Sequence, residues 1–237
     1  MTQNIAHKTK ILKQQNYKGF LIDLILYISV MFLIRELYIP KVGFLANGLF
    51  WSFTTLAVAT WRMKVRSVTW TELGLRKPKK FGKTIGVSVL ILAAVLISLI
   101  SFEVLKDQLP FSIAPDTSSE SAVSKFGDLQ GNWMLFFSII PIILVESFLE
   151  ELLDRGFLIN WLEGLFSKTS FATVIAVLLQ AVIFGFRHSH DLSSRSITVG
   201  IIGLIMGIAY VKFGRNLWPL IIAHCLLNSM SMLERVF

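Results

Sequence analysis

A chain of 237 residues that is 54% hydrophobic, with a mean hydropathy of +0.66 and only 16% charged residues, falls outside the range of soluble domains, which carry about 25% charge. It reads as a membrane protein with one bilayer-embedded domain, residues 19–237, behind a basic tail, residues 1–18. The net charge of +8 does not point to a nucleic-acid partner, because the basic residues collect in short segments on alternate sides of the apolar runs, as the positive-inside rule requires, and a single cysteine, Cys225, excludes an internal disulfide.

In chain order, Lys8, Lys10, Lys13 and Lys18 mark the tail as cytoplasmic. Residues 19–34 are apolar apart from Asp23, and no small-residue cleavage site follows them, so they form a retained first helix rather than a signal peptide. Residues 43–61 carry no charge and are close to the ~20 needed to cross a bilayer. The loop that follows holds Arg62, Lys64, Arg66, Arg76, Lys77, Lys79, Lys80 and Lys83 against Glu72 and belongs on the cytoplasmic side. Residues 84–101 predict a third helix. Residues 106–131 are rich in Ser, Asp, Gly and Pro and predict a long, acidic outer loop, partly disordered or lid-like.

Helix four is expected to start near Asn132 and to run into Glu150-Glu151-Leu152-Leu153-Asp154-Arg155, then on to about residue 166 as one long helix or as a bent interfacial segment. Residues 169–186, 196–211 and 216–233 predict helices five, six and seven. In helix six Gly200, Gly203 and Gly207 permit close packing. The predicted fold class is all-α: a multi-pass transmembrane helix bundle of about seven spans, its N-terminus cytoplasmic.

The acidic stretch is where polarity costs most. Charged residues within a span usually face the bundle interior or a wet cavity and mark function. Four-residue spacing lets Glu151 pair with Arg155 in the favourable acid-before-base order. Glu150 lies about 100° round the helix, on a face that also bears Glu146 and Asp154. Repulsion along that stripe and desolvation are expected to push a carboxylate towards the range a general base needs, which makes Glu150 the candidate base. The bland reading is a polar helix end with its arginine snorkelling to the interface.

Three histidines lie in or beside the spans. Gln180, Phe184 and His188 share one face of helix five, while His224 and Asn228 are one turn apart in helix seven. A lone helical histidine is more often a hydrogen-bonded core residue, but three beside intramembrane carboxylates weaken that reading. Glu150 stands 17 residues before the turn at Ser167-Lys168 and His188 20 after it, so the two come level if both helices are continuous. His224, nine residues past Arg215, sits only ~14 Å in and is expected to be shallower, unless helix four bends after Arg155 or Pro219 shifts helix seven. His188 and His190, two apart, point nearly opposite ways and pair on a metal only if the helix unwinds. Glu150, His188 and His224 would make a three-ligand zinc site. Without metal, a glutamate deprotonates water while imidazole and the Asn228 amide stabilise the oxyanion. The sequence leaves both versions open.

These residues resemble a known family. Residues 150–155 are similar to the EExxxR motif of the CPBP family, which holds the type II CAAX prenyl endopeptidases and the bacterial Abi and bacteriocin-processing membrane proteins. Phe184-Gly185-Phe186-Arg187-His188 resembles its FxxxH motif and His224-Cys225-Leu226-Leu227-Asn228 its HxxxN motif. The loop Glu72-Leu73-Gly74-Leu75-Arg76 resembles the family's usual entry to the next span, and coverage is strongest from about 130 to 231, the expected catalytic core. The resemblance implies Glu150 and Glu151 as catalytic glutamates, Arg155 and Phe184 as their support, and His188, His224 and Asn228 as the rest of the site. Two positions depart from the pattern: Asp154 stands where an aromatic or aliphatic residue is usual, and Arg187 where a small or apolar one is.

The function expected is endoproteolysis, within or at the membrane, of a small peptide or a lipidated, CAAX-like protein, with lipids as the other partners. The runner-up is a non-catalytic immunity or scaffold protein that binds a peptide or a sensor kinase, a role also found in the family. A proton or ion carrier using Glu146, Glu150 and Asp154 ranks third, because no second half repeats the motif. A short basic chain with an acidic outer loop favours a bacterial plasma membrane.

Overall fold

The computed structural model describes residues 17–108, 110, 113–114, 125–191 and 193–237. Among these residues it is all helical. The principal helices are α1 (Tyr17–Leu33), α2 (Gly43–Val65), α3 (Phe81–Leu105), α4 (Trp133–Leu165), α5 (Ala172–Ser189), α6 (Ser194–Lys212) and α7 (Trp218–Glu234). Six of them are long and apolar enough to cross a membrane, and α7, at 17 residues, completes the bundle of about seven. The tail up to residue 16 and most of the expected lid-like loop (109, 111–112 and 115–124) lie outside the described residues.

Local chemistry sets the helix ends. Asn132 caps α4, its Oδ1 accepting from the Leu135 amide at 3.0 Å. The buried Asn47 amide stitches the turn before α2, exchanging hydrogen bonds with Ile39 and donating to the Gly43 carbonyl. His190 closes α5 in the left-handed conformation, φ 58°.

Helix four is one continuous rod, the first of the two forms expected for it. Between Glu151 and Leu158 its turns widen to i→i+5 hydrogen bonds, and it returns to α geometry from Ile159 to Leu165. Wide turns of this kind recur at functional sites. Every residue of the widened segment is buried. The rod is the axis of the molecule: α1 and α2 pack on it, α5 on its lower half and α7 on its upper half, and α3 closes the bundle against α6 and α7.

Two buried polar clusters lie on the lower half of that rod. Asp23, wholly enclosed in α1, accepts from Arg62 at 2.7 Å, from Arg66 of α2, and from the Trp161 indole of α4 at 3.0 Å. Arg215, in the turn before α7, forks onto Glu163 at 2.7 and 2.8 Å and onto Asn160 at 3.0 Å. Asn160 in turn donates to Tyr210, whose hydroxyl donates to the Leu73 carbonyl. The second cluster fixes how deep α7 begins.

Helices α5 and α6 pack most intimately. A Cβ on Gly203 would come within 3.1 Å of the Phe184 ring and 3.3 Å of the Ala181 Cα, so this glycine is what lets the Phe184 face of α5 approach α6.

Candidate active site

Glu150, at the last turn of α4 before the widening, is the centre of the cluster. Its Oε1 lies 3.5 Å from His188 Nε2 of α5 and 3.3 Å from Arg187 Nη2, while its Oε2 lies 3.6 Å from His224 Nε2 of α7. The expected levelling of Glu150 and His188 is what is observed. His224, expected to sit shallower, is a correction: it reaches the same level. The turn before α7 does not lie at the depth of Ser167-Lys168 but is docked on Asn160 and Glu163, and a Cβ on Gly156 would meet the Leu217 side chain at 3.3 Å. From Leu217 the seven residues to His224 rise ~10 Å at ~1.5 Å each, which matches the climb from Gly156 to Glu150.

Both imidazoles have a fixed tautomer. His188 Nδ1 is 2.7 Å from the Phe184 carbonyl, which can only accept, so that nitrogen carries hydrogen. His224 Nδ1 is 2.7 Å from Glu151 Oε1, and a carboxylate likewise takes the hydrogen from it. The two Nε2 atoms are therefore the ones turned towards Glu150.

Glu151 and Arg155 stay paired through the widened turns, Nη1 to Oε1 at 3.1 Å, both fully enclosed. The contact is an ion pair without hydrogen-bond alignment, and the guanidinium lies instead over the Phe184 ring, 4.3 Å from its centre. The Phe184 ring also meets His188 at 4.6 Å and His224 at 6.5 Å between centroids. Asn228 donates to Ser147 Oγ at 2.9 Å, so its amide is held one turn above Glu151. His190, the second member of the pair considered for a metal, is turned away against Phe32 and Phe186.

The acidic stripe is real, but it is not left to self-repulsion. Arg187 Nη2 bridges Asp154 Oδ2 at 2.9 Å and Glu150 Oε1, so the two departures from the family pattern are partners of each other. Both add charge at the site, and their pairing is what the sequence does not show. Glu146, one turn further up, accepts from Ser52 at 2.6 Å. Among the described residues no three His, Cys, Asp or Glu side chains are grouped closely enough to hold a metal ion. The two imidazoles approach different oxygens of Glu150, and a guanidinium already occupies one of them. Solvent reaches the cluster along the Glu150–His188 flank, whose side chains are 17% and 23% exposed.

A helical bundle with six helices long and apolar enough to cross a membrane, and with carboxylates, imidazoles and guanidiniums gathered inside it, defines an integral membrane protein with a buried polar cluster. Residues 132–230, from the start of α4 to near the end of α7, are similar to the family model for the type II CAAX prenyl endopeptidase Rce1-like group. That family supports an intramembrane endopeptidase in general. No curated protein and no solved structure matches the chain.

Proposed function

We propose that the protein is an intramembrane endopeptidase of a bacterial plasma membrane that uses glutamate-activated water on a small peptide or a lipidated, CAAX-like protein. The observation that carries this reading is the convergence of two imidazole Nε2 atoms, each with its tautomer fixed from behind, on a partly exposed carboxylate. Glu150 takes a proton from water through Oε2, the oxygen not shared with Arg187, and the hydroxide adds to the scissile carbonyl. The oxyanion meets the second hydrogen of the Asn228 amide and the hydrogen that His188 Nε2 carries when the ring is an imidazolium, its Nδ1 hydrogen staying on the Phe184 carbonyl. The proton held by Glu150 passes to the leaving amine by way of His224, which Glu151 orients and Arg155 balances. With the N-terminus cytoplasmic, the lysines of residues 62–83 lie on the inner side.

One observation favours the immunity or scaffold reading: the Arg187 guanidinium rests on the carboxylate that the reaction needs. The experiment is cleavage of a peptide library by the detergent-solubilised protein, beside Glu150→Gln and His188→Ala, each with and without a chelator. Turnover by the wild type, lost at least 100-fold in both variants and indifferent to the chelator, is expected. A folded wild type that cleaves nothing moves the assignment to a binding protein, and loss on chelation overturns the metal-free chemistry.

A further inference from the structure

We infer that Arg187, anchored by Asp154, is a positioning residue for Glu150, a role outside the three motifs and one that rests, for its consequence in catalysis, on the endopeptidase reading above. One guanidinium nitrogen serves both carboxylates, with Asp154 the closer at 2.9 Å and Glu150 at 3.3 Å. The rest of the group has only weak company: Nη1 lies 3.6 Å from the Met31 sulfur, and Cζ is 5.3 Å from the Phe184 ring centre. Its backbone is held as well, since Arg35 donates to the Arg187 carbonyl at 2.6 Å. With side-chain exposures of 5% and 0%, Arg187 and Asp154 form a buried pair whose direction is set by Asp154.

The consequence is a distinction between the two oxygens of Glu150. Arg187 and His188 both address Oε1, and Oε2 faces His224. A carboxylate so held cannot rotate to offer Oε1 to water, and the working oxygen stays next to the histidine that carries the proton onward. The charges agree with this arrangement. Glu150, Glu151 and Asp154 stand against Arg155 and Arg187, which leaves one negative charge to be shared with the imidazoles, where a cluster without Arg187 would hold two.

The test uses the full-length protein in detergent, with two readouts: kcat and KM on a peptide that the wild type cleaves, and the ring ¹⁵N signals of histidine-labelled protein, assigned with His188→Ala and His224→Ala. Arg187→Met is expected to lower kcat at least 10-fold with little change in KM and to move the His188 and His224 signals, while Arg187→Lys keeps part of both. Because Arg187→Met leaves Asp154 buried alone and can fail to fold, the double variant Arg187→Met/Asp154→Leu is the second arm. There no charge is stranded, and kcat and the histidine signals are expected to stay altered. Restoration of both to wild-type values in the double variant overturns the proposal, since Arg187 would then only neutralise Asp154. A rise in turnover with Arg187→Met overturns it too, by making the guanidinium a lock on the base. If the wild type cleaves nothing, the endopeptidase reading fails, and the histidine signals still decide whether Arg187 positions Glu150.

Discussion

Phe184 is touched by His188, His224, Arg155 and Arg187, and Gly203 of α6 backs it. A fully enclosed guanidinium without aligned hydrogen bonds needs stabilisation beyond its Glu151 ion pair, and the face of this ring supplies it, worth about 2 kcal/mol where water is excluded. Phe184→Leu keeps an apolar side chain of similar reach but removes the π face. It is expected to lower the midpoint of thermal unfolding in detergent by several degrees and to reduce peptide turnover. A Phe184→Leu protein as stable as the wild type would mean that Glu151 alone sustains Arg155. The sequence pointed to Phe184 through its spacing from His188. The stacking of Arg155 on it was not legible, because it joins two helices whose facing is decided by packing.

At the scale of the element, the widened turns of α4 and the docked turn before α7 bring three motifs to one depth. The spans were legible because hydrophobicity and length report them directly: each predicted helix exists, with α2, α3 and α6 a few residues longer than expected and α5 shifted three residues along the chain. The widening of residues 151–158 was not, since an acidic, leucine-rich stretch with one glycine has no local signature for i→i+5 bonding. Nor was the level of His224. It depends on Arg215, which lies between two apolar runs and is drawn inward onto Glu163 and Asn160, both buried. Removing one partner of such a pair costs about 3–5 kcal/mol. Arg215→Ala is therefore expected to lower the unfolding midpoint and to move the His224 ring ¹⁵N signal. An unmoved His224 signal would assign the register of α7 to Pro219 and to the helix itself.

On the scale of the whole molecule, the helices before residue 132, outside the matched stretch, are part of the site's frame. From α1, Tyr27 packs on Phe157 and Met31 contacts Arg187, and Arg35 just beyond it holds the Arg187 carbonyl. Asp23 ties α1 to α2 and to the foot of α4 through Arg62, Arg66 and Trp161. It was visible in the sequence as the lone charge in an otherwise apolar span, but its partners lie about 40 and 140 residues away, beyond the reach of any local pattern. Asp23→Ala takes the acceptor from two arginines and strands the Trp161 indole N–H in the core. A loss of about 3–5 kcal/mol is expected, read as a lower midpoint of unfolding followed by tryptophan fluorescence. Turnover, measured well below that midpoint, should fall as well, because α1 carries the contacts that hold Arg187. The control is the exposed pair of Lys106 and Glu103, where Glu103→Ala should leave the midpoint unchanged. Equal midpoints for Asp23→Ala and the wild type would reduce α1 to a membrane anchor, and the frame of the site would then lie entirely within α4 to α7.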